Sequence, residues 1–515
     1  MSISLPNDVQ YIIITFLNSD DHDTKYILYK YLFVNRFWCR CIIPILWRRP
    51  RIDARVIRTY LSCLNYDELK FLIPFRINIP TNQSPPLFEY GKFLEIINLS
   101  DINKSVKSWL SKEGYKIETG TWYRVTEPRD HLMNSVKAAI WRMLMRKCRR
   151  LISIDLKLDL GEGDIPEIYS KSAIYYLKIF NFNVLSRSFK ENDENVYKKS
   201  IELLRQLPSL STGLKRILWN SSLYPDLLVN LIQKQNGLES FNISQTSFRS
   251  NPTVLSSLRD TQSTTLTSFF ASHVHFNETS IQIISGFHNL KTLSLSYCAG
   301  LEPRHCEIIN GASFRLNNII LRHNSWYFEI DLAIFTKAGR DLRTITLYNN
   351  FSSEIIREIH KHCPNIKKMF IYIESSMYIP SFCNWINGLQ NLHTLVIIDA
   401  IACPRISELA EKLPKSLKHL KYHGNLTLID VFSKFFECCM VPLNTISIYP
   451  ISLSYDFSQY ISVISEFAIR VKSLKRLFLS RKAIPKQWRP QELEIKKKLE
   501  NQGVDLCTLF SFYDD

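Results

Sequence analysis

The chain has 515 residues and carries 65 Lys and Arg against 48 Asp and Glu, a formal net charge of +17 at pH 7. This length exceeds one ordinary hydrophobic core, so several domains or a repeat array are expected. Apolar residues make up 45% and charged residues 22%, which excludes a disordered chain and reads as soluble and folded. The basic excess is dispersed, densest at Arg142 to Arg150, Arg36 to Arg58 and Arg481 to Lys498, with no five basic residues in a row. Such an excess suits nucleic acid, an acidic membrane surface or acidic protein partners, and its dispersal disfavours nucleic acid.

The start MSISLPNDVQ lacks a basic segment followed by an apolar one, so no signal peptide is expected. The apolar run Tyr11 to Leu17 is too short to span a bilayer. Twelve cysteines include no C-x-x-C pair and no zinc-ligand spacing. Together these predict free thiols in an intracellular setting, cytoplasm or nucleus, with no membrane partner, cofactor or metal.

LPNDVQYIIITFL opens a helix. Pro6 falls in its first turn, where a missing N–H costs nothing, and Asp8 complements the helix dipole. Val9, Ile12, Ile13, Phe16 and Leu17 recur at helical spacing. The polar stretch Asn18 to Thr24 breaks this helix. A second apolar helix spans Tyr26 to Phe33, and Trp38, Pro44, Leu46 and Trp47 close the segment. Three short helices cannot bury this much apolar surface among themselves, so the segment either docks a partner or packs on the rest of the chain.

Residues 5 to 47 resemble an F-box. That family reads L-P-x-[DE]-x-x-x-x-I-x-x-x-L, an apolar helix, V-[CN]-[RK]-x-W, and a closing L-W. The chain supplies Leu5, Pro6, Asp8, Ile13 and Leu17, then Val34, Asn35, Arg36 and Trp38, then Leu46 and Trp47. The stretch NRFWCRCIIPILWRRP is similar to the expanded F-box families of some fungi. The resemblance implies docking on a Skp-type adaptor, which joins the chain to a cullin scaffold and a RING subunit. It further implies that Leu5, Pro6, Val9, Ile13, Phe16, Leu17, Leu28 and Val34 form the adaptor contact or its support, while Trp38 and Trp47 hold the helices together.

Residues 51 to 147 read as a helical linker. Arg51 to Leu64 is a predicted helix, and TNQSPP (Thr81 to Pro86) is the best linker candidate. Phe88 to Leu110 suggests one or two short helices. Met133, Val136, Ile140, Trp141 and Leu144 mark a helix expected to cap a repeat stack.

From there the pattern L-x-x-L-x-L recurs, with Ile, Met or Phe allowed for Leu. Eleven copies start at Leu214, Leu238, Leu266, Leu290, Leu316, Leu342, Ile366, Leu392, Leu417, Leu443 and Leu474, spaced 24 to 31 residues apart. Earlier copies are read at Leu151 (LISIDL) and Ile174 (IYYLKI), and residues 180 to 213 are degenerate, with a polar insert at Lys190 to Asn195. This periodicity is the leucine-rich-repeat signature. A helix is expected over Ser353 to Cys363. A last helix over Gln491 to Gln502 should stop at Gly503, and a strand over Asp505 to Phe510 should follow. The predicted fold is α/β: an F-box over 1–50, a helical linker and cap over 51–147, and a solenoid over 148–515 with parallel strands on its concave face and helices on its convex face.

In each repeat the pattern residues face inward and those between them face the concave side. From Ile366 on, these read Lys368, Phe370, Tyr372; Thr394, Val396, Ile398; His419, Lys421, His423; Thr445, Ser447, Tyr449; and Arg476, Phe478, Ser480. Aromatic and cationic residues are enriched at interaction hot spots. Lys368, Phe370, Tyr372, His419, Lys421, His423, Tyr449, Arg476 and Phe478 are therefore the candidate substrate surface, suited to an acidic or phosphorylated protein. The alternative is that some of them meet a loop or the tail Phe510 to Asp515.

No phosphate loop, G-x-S-x-G elbow or H-E-x-x-H helix occurs. His419 and His423 have no Glu beside them, His360 and His362 read as solvated helix residues, and Cys438-Cys439 reads as core. The chain is therefore expected to be non-catalytic, the substrate-recognition subunit of a Skp–cullin–F-box ubiquitin ligase that leads to proteasomal degradation. Two alternatives stay open. One is a repeat scaffold binding protein or RNA without a ubiquitin role; the other is an adaptor-bound complex acting outside degradation.

Overall fold

The computed structural model describes residues 6–16, 28–77, 86–115, 128–158, 171–184, 198–249, 252–348, 353–373, 379–399, 403, 405–424, 429–450, 457–480 and 489–509. The stretches expected at Asn18 to Thr24, Thr81 to Ser84 and Pro85, Lys190 to Asn195 and Phe510 to Asp515 lie outside them. The chain forms two compact units, one from residues 1–246 and 253–266, the other from 247–252 and 267–515.

The first unit begins with the helix Asn7–Phe16 and a helical turn at 28–31. The helix Arg36–Arg48 follows, capped by Asn35, whose side chain accepts a hydrogen bond from the Trp38 amide. Ile14, Leu28 and Ile42 close a small core against Leu32, Trp38, Cys41, Ile45 and Leu46. Trp38 Nε1 donates to Gln10 Oε1 at 2.6 Å, tying the first and third helices. The Trp47 ring lies 4.2 Å from that of Tyr90 and 5.6 Å from that of Tyr60. Asp53 caps the helix Ala54–Leu61 through the amides of Arg55 and Val56.

The sheet of this unit starts earlier than the sequence reading placed it. Strand β1 (Ile96–Asn98) lies inside Phe88 to Leu110, where one or two short helices are expected, and pairs parallel with β2 (Ser153–Leu158). Leu94, Ile97 and Leu99 are buried and spell L-x-x-I-x-L, so β1 is a repeat strand with the same core pattern. The helix Pro128–Lys147 packs on the helices Leu99–Lys112, Tyr66–Lys70 and Ala54–Leu61. The copy read at Ile174 is displaced by three residues. Ile174 ends a short helix, and Leu177, Phe180 and Phe182 are the buried set leading into β3 (Ile179–Val184). Strands β4 (Arg216–Asn220) and β5 (Ser240–Arg249) complete a parallel array in chain order.

The second unit continues the theme with β6 (Ser268–His275), β7 (Thr292–Ser296), β8 (Asn318–Arg322), β9 (Thr344–Leu347), β10 (Lys368–Ile373), β11 (Thr394–Asp399), β12 (His419–Gly424), β13 (Thr445–Pro450), β14 (Arg476–Ser480) and β15 (Asp505–Leu509). Each pairs parallel with the next in chain order. Helices connect the strands, among them Ser353–His362 and Pro490–Asn501, the latter followed by Gly503 at φ +75°. Both units are α/β leucine-rich-repeat solenoid. In all eleven copies of the pattern the three anchor side chains are at most 7% exposed. Burying each contributes about 1.5–3 kcal/mol.

A backbone rail fixes where β2 to β5 and β7 to β14 begin. The Thr267 carbonyl accepts from the amides of both Lys291 and Thr292, at 2.8 and 3.0 Å. The Lys291 carbonyl does the same for Asn317 and Asn318, and the doublet recurs at Asn317, Arg343, Lys367, His393, Lys418 and Asn444. The first unit repeats it at Glu95, Ile152, Lys178 and Lys215. Side chains brace the same turns. Gln262 Oε1 accepts from the Leu238 amide while its Nε2 donates to the Gln235 carbonyl, and Ser473 Oγ donates to the Leu443 carbonyl. Gly300 (φ +92°) sits where a Cβ would lie 2.2 Å from the Phe276 carbonyl, so only glycine fits.

Two acids, the buried Asp399 and the half-buried Asp331, set testable limits. Asp399 is fully enclosed and accepts from the Cys403 amide and, at 2.8 Å, from the Tyr422 hydroxyl. A Cβ on Gly424 would lie 2.6–2.7 Å from the Tyr422 ring and hydroxyl. Tyr422→Phe should cost about 1.5–3 kcal/mol by leaving the carboxylate short of a donor. Gly424→Ala displaces the same ring, so denaturant unfolding of the double variant should show a loss smaller than the sum of the singles. Asp331, bonded to Trp326 Nε1 at 2.8 Å, is pushed up by burial to about 6 from an ordinary 3.8. Between those values the folded chain holds a proton that the unfolded chain releases, so stability falls as pH rises through that window and the penalty is complete above it. Asp331→Asn, which keeps an acceptor for Trp326, should raise Tm by a few degrees at neutral pH and leave it unchanged near pH 4.

Candidate interaction surface

The nine residues expected to line a substrate surface all lie on one face of the second unit's sheet. The strand register arranges them in three rows. One row runs Lys368, Thr394, His419, Thr445, Arg476; the next Phe370, Val396, Lys421, Ser447, Phe478; the third Tyr372, Ile398, His423, Tyr449. Lys368 Nζ lies 5.1 Å from the Phe370 ring centre, and the Arg476 guanidinium lies 5.5 Å from that of Phe478. The same cation–ring pair thus recurs on β10 and β14, and such pairs favour ligands that meet both charge and ring.

Two of the nine do not offer their side chains to solvent. Lys421 is 9% exposed and Tyr449 6%. Lys421 stands in register between Val396 and Ser447, which are themselves closed to solvent, so its stem is absorbed among its neighbours. His423 is half-buried and its pKa is lowered by burial. The accessible surface is therefore Lys368, Phe370 and Tyr372 on one side and His419, His423, Arg476 and Phe478 on the other, with the apolar β11 positions between them.

Tyr372 also belongs to a second row of rings at the strand exits, whose members His273, Tyr297 and His323 the leucine pattern does not mark. His273, Tyr297, His323, Tyr348 and Tyr372 recur at intervals of 24, 26, 25 and 24 residues. That recurrence just beyond the leucine pattern is the signal that finds them. Their rings form a ladder. His273 stacks on Tyr297 with centroids 4.9 Å apart and planes 9° apart, and Tyr297 stacks on His323 at 5.0 Å. His323 meets Tyr348 at 5.7 Å, and Tyr348 stacks on Tyr372 at 3.6 Å. His273, Tyr297 and His323 all hold positive φ, between 47° and 57°. Arg322, at the end of β8, places its guanidinium 5.3 Å from the Tyr297 ring centre and 4.5 Å from that of Tyr348.

In the first unit the residues implied in adaptor contact divide. Leu28 is 0% exposed and belongs to the small helical core, not to a surface. Pro6, Val9 and Val34 are exposed and Ile13 is half-buried. Leu5 and Leu17 lie outside the described residues, as does the side chain of Phe16. The exposed members are joined by Tyr11, Ile12, Tyr29 and Phe33, the last 78% exposed.

Elsewhere the chemistry is paired or quiet. An open cleft of about 510 Å³ is lined by Asn65, Asp67, Glu68, Phe71, Arg142, Met145 and Arg146. There Arg146 donates two hydrogen bonds to the Glu68 carboxylate, at 2.8 and 2.7 Å, and the Arg142 guanidinium lies 3.8 Å from the Phe71 ring centre. Burial pushes the thiols of Cys148, Cys298 and Cys383 up to about 11 and that of Cys363 to about 12. Cys439 is buried beside the half-buried Cys438. No group of His, Cys, Asp and Glu that could hold a metal occurs among the described residues. No helix among them is long and apolar enough to cross a membrane.

No protein-family profile and no curated protein matches the chain. Among solved structures, a complex of Rad7 and Elc1 in yeast is similar at 13% identity and a TM-score of 0.34, covering 80% of this chain and 88% of that one. A leucine-rich repeat-containing protein, LegL7 from Legionella pneumophila, is similar at 12% identity and a TM-score of 0.35, covering 68% and 98%. Neither likeness bears on what this chain binds.

The accessible cation–ring pairs make one expectation concrete. Lys368→Glu with Arg476→Glu reverses two charges on partly or fully exposed side chains. Tm should stay within about a degree or two, since surface substitutions mostly change stability by under about 0.5 kcal/mol. Affinity for any protein captured on this face should fall at least tenfold in a pull-down titration.

Proposed function

We propose that the chain is the substrate-recruiting subunit of a Skp–cullin–F-box ubiquitin ligase. The observation that carries this reading is the N-terminal helical segment. Its sequence resembles an F-box, and its helices close a core of Ile14, Leu28 and Ile42 while leaving Val9, Tyr11, Ile12, Tyr29, Phe33 and Val34 exposed. Exposed apolar side chains of this number beside a satisfied core are what a docking face requires. The Skp-type adaptor is its proposed occupant, with cullin and RING subunits reached through it.

The open face of the second unit is the proposed substrate surface, with a protein ligand, acidic or phosphorylated, as its target. Repeat stacks present extended surfaces of this kind. The chain itself is proposed to be non-catalytic. Thiols pushed to about 11 or 12 by burial are poorly suited to carry an acyl group. The ligase would supply the chemistry and this chain proximity and orientation.

Co-expression with a Skp-type adaptor tests the reading. The wild-type chain should co-purify with it in equal amounts. Val9→Asp with Val34→Asp should reduce recovery at least tenfold without changing the circular dichroism spectrum, because both side chains are exposed. A folded wild type that leaves the adaptor unbound would remove the ubiquitin role and leave a repeat scaffold.

A further inference from the structure

The geometry points to a carboxylate-binding anchor at Arg322, through which the strand-exit ladder of the second unit holds an acidic peptide. This deepens the substrate-surface reading by naming the anchor and the group it grips.

The ladder is built, not incidental. The Tyr297 amide donates to the Arg322 carbonyl at 2.7 Å, which fixes the left-handed turn that presents Tyr297. The next residues are locked too. The Cys298 amide donates to Asn324 Oδ1 at 2.9 Å, and Asn324 Nδ2 donates to the Leu295 carbonyl at 3.0 Å. His273 Nδ1 meets Ser272 Oγ at 2.9 Å. Non-glycine residues in this region cost about 1–2 kcal/mol each, so three in adjacent repeats are a maintained expense of fold stability.

What the ladder offers follows from which ring surfaces remain free. Tyr297 has an imidazole stacked on each side, His273 and His323, and Tyr348 has Tyr372 and Arg322 against it. The faces of Tyr297 and Tyr348 are consumed, so a nucleobase has no place to stack on them and a nucleic acid is the poorer fit. The same holds for the guanidinium. Arg322 lies between the Tyr297 and Tyr348 rings, and its Nε is buried with no hydrogen-bond acceptor among the described residues. Its side chain makes no ion pair there either. With Nε closed to solvent, the donors left for a ligand are the in-plane N–H groups of the two terminal nitrogens, and a planar carboxylate is their geometric complement. Desolvation by two rings strengthens such a pair over a surface lysine.

Panning a random decapeptide display library on the full-length chain tests this, followed by fluorescence anisotropy of the labelled winner. Winners should be enriched in Asp or Glu. Arg322→Gln should weaken the winner by roughly tenfold or more, as loss of a charge-assisted pair does. Arg322→Lys, which keeps the charge and loses the fork, should still weaken it by about fivefold. Lys291→Gln removes an exposed charge one repeat away and should change affinity less than about twofold. Circular dichroism establishes that each variant is folded.

Winners without acidic residues, full binding by Arg322→Lys, or equal losses from Arg322→Gln and Lys291→Gln would each overturn the anchor. Retention of an RNA homopolymer in place of peptide would do the same. Tenfold tighter binding after phosphoserine replaces the winner's acid would overturn the carboxylate assignment in favour of phosphate. If a protein is captured on the open face and lost with Lys368→Glu and Arg476→Glu while no acidic peptide binds, the anchor fails and the substrate-surface reading stands.

Discussion

One carbonyl shared by two amides is the contact on which this architecture depends. At the entrance to twelve of the described strands, β2 to β5 and β7 to β14, the same oxygen accepts from two consecutive N–H groups of the next repeat, as Thr267 does for Lys291 and Thr292. Both lone pairs of the acceptor are used, so the bend into the strand and the start of pairing are set together. Repeat lengths can then vary, with starts from 24 to 31 residues apart, because slack is absorbed after the strand and not before it. The register downstream is uniform as a result, and a uniform register turns isolated side chains into rows. Lys368, His419 and Arg476 share a row only because each stands at the same distance from its carbonyl.

The sequence was most legible where the physics is repeated. Leu290, Leu293 and Leu295 announce an inward face because side chains alternate along a strand, and every copy of that triplet is buried. Legibility failed where a repeat was short or where an aliphatic residue upstream offered a competing start. The β1 strand has three residues, and its set Leu94, Ile97, Leu99 sits among helix-forming neighbours. The displaced copy at Leu177 has Phe180 and Phe182 as its anchors, while Ile174 offered a more ordinary aliphatic start.

The surface was only half legible, for a different reason. Alternation says which face a residue takes but not how much of it reaches solvent. Lys421 and Tyr449 occupy the expected face and are nonetheless enclosed, which depends on neighbours in adjacent strands. The ring ladder escaped notice because it lies one step past the pattern, where the backbone leaves extended geometry. Nothing in a strand-based reading assigns a direction to His273, Tyr297 or His323, since φ is positive at all three. In the F-box-like segment, Leu28 and Val34 carry similar apolar character, and only the fold separates core from surface.

Those three left-handed residues also shape how the second unit could change. Glycine at any of them would relieve about 1–2 kcal/mol of backbone strain, and would at the same time remove a ring from the stack. Selection for thermal robustness alone would therefore erode this edge first. The strand exits are places where the chain trades rigidity for display, and a thermostabilised derivative obtained by unbiased screening would be expected to lose its ladder before it lost a single leucine.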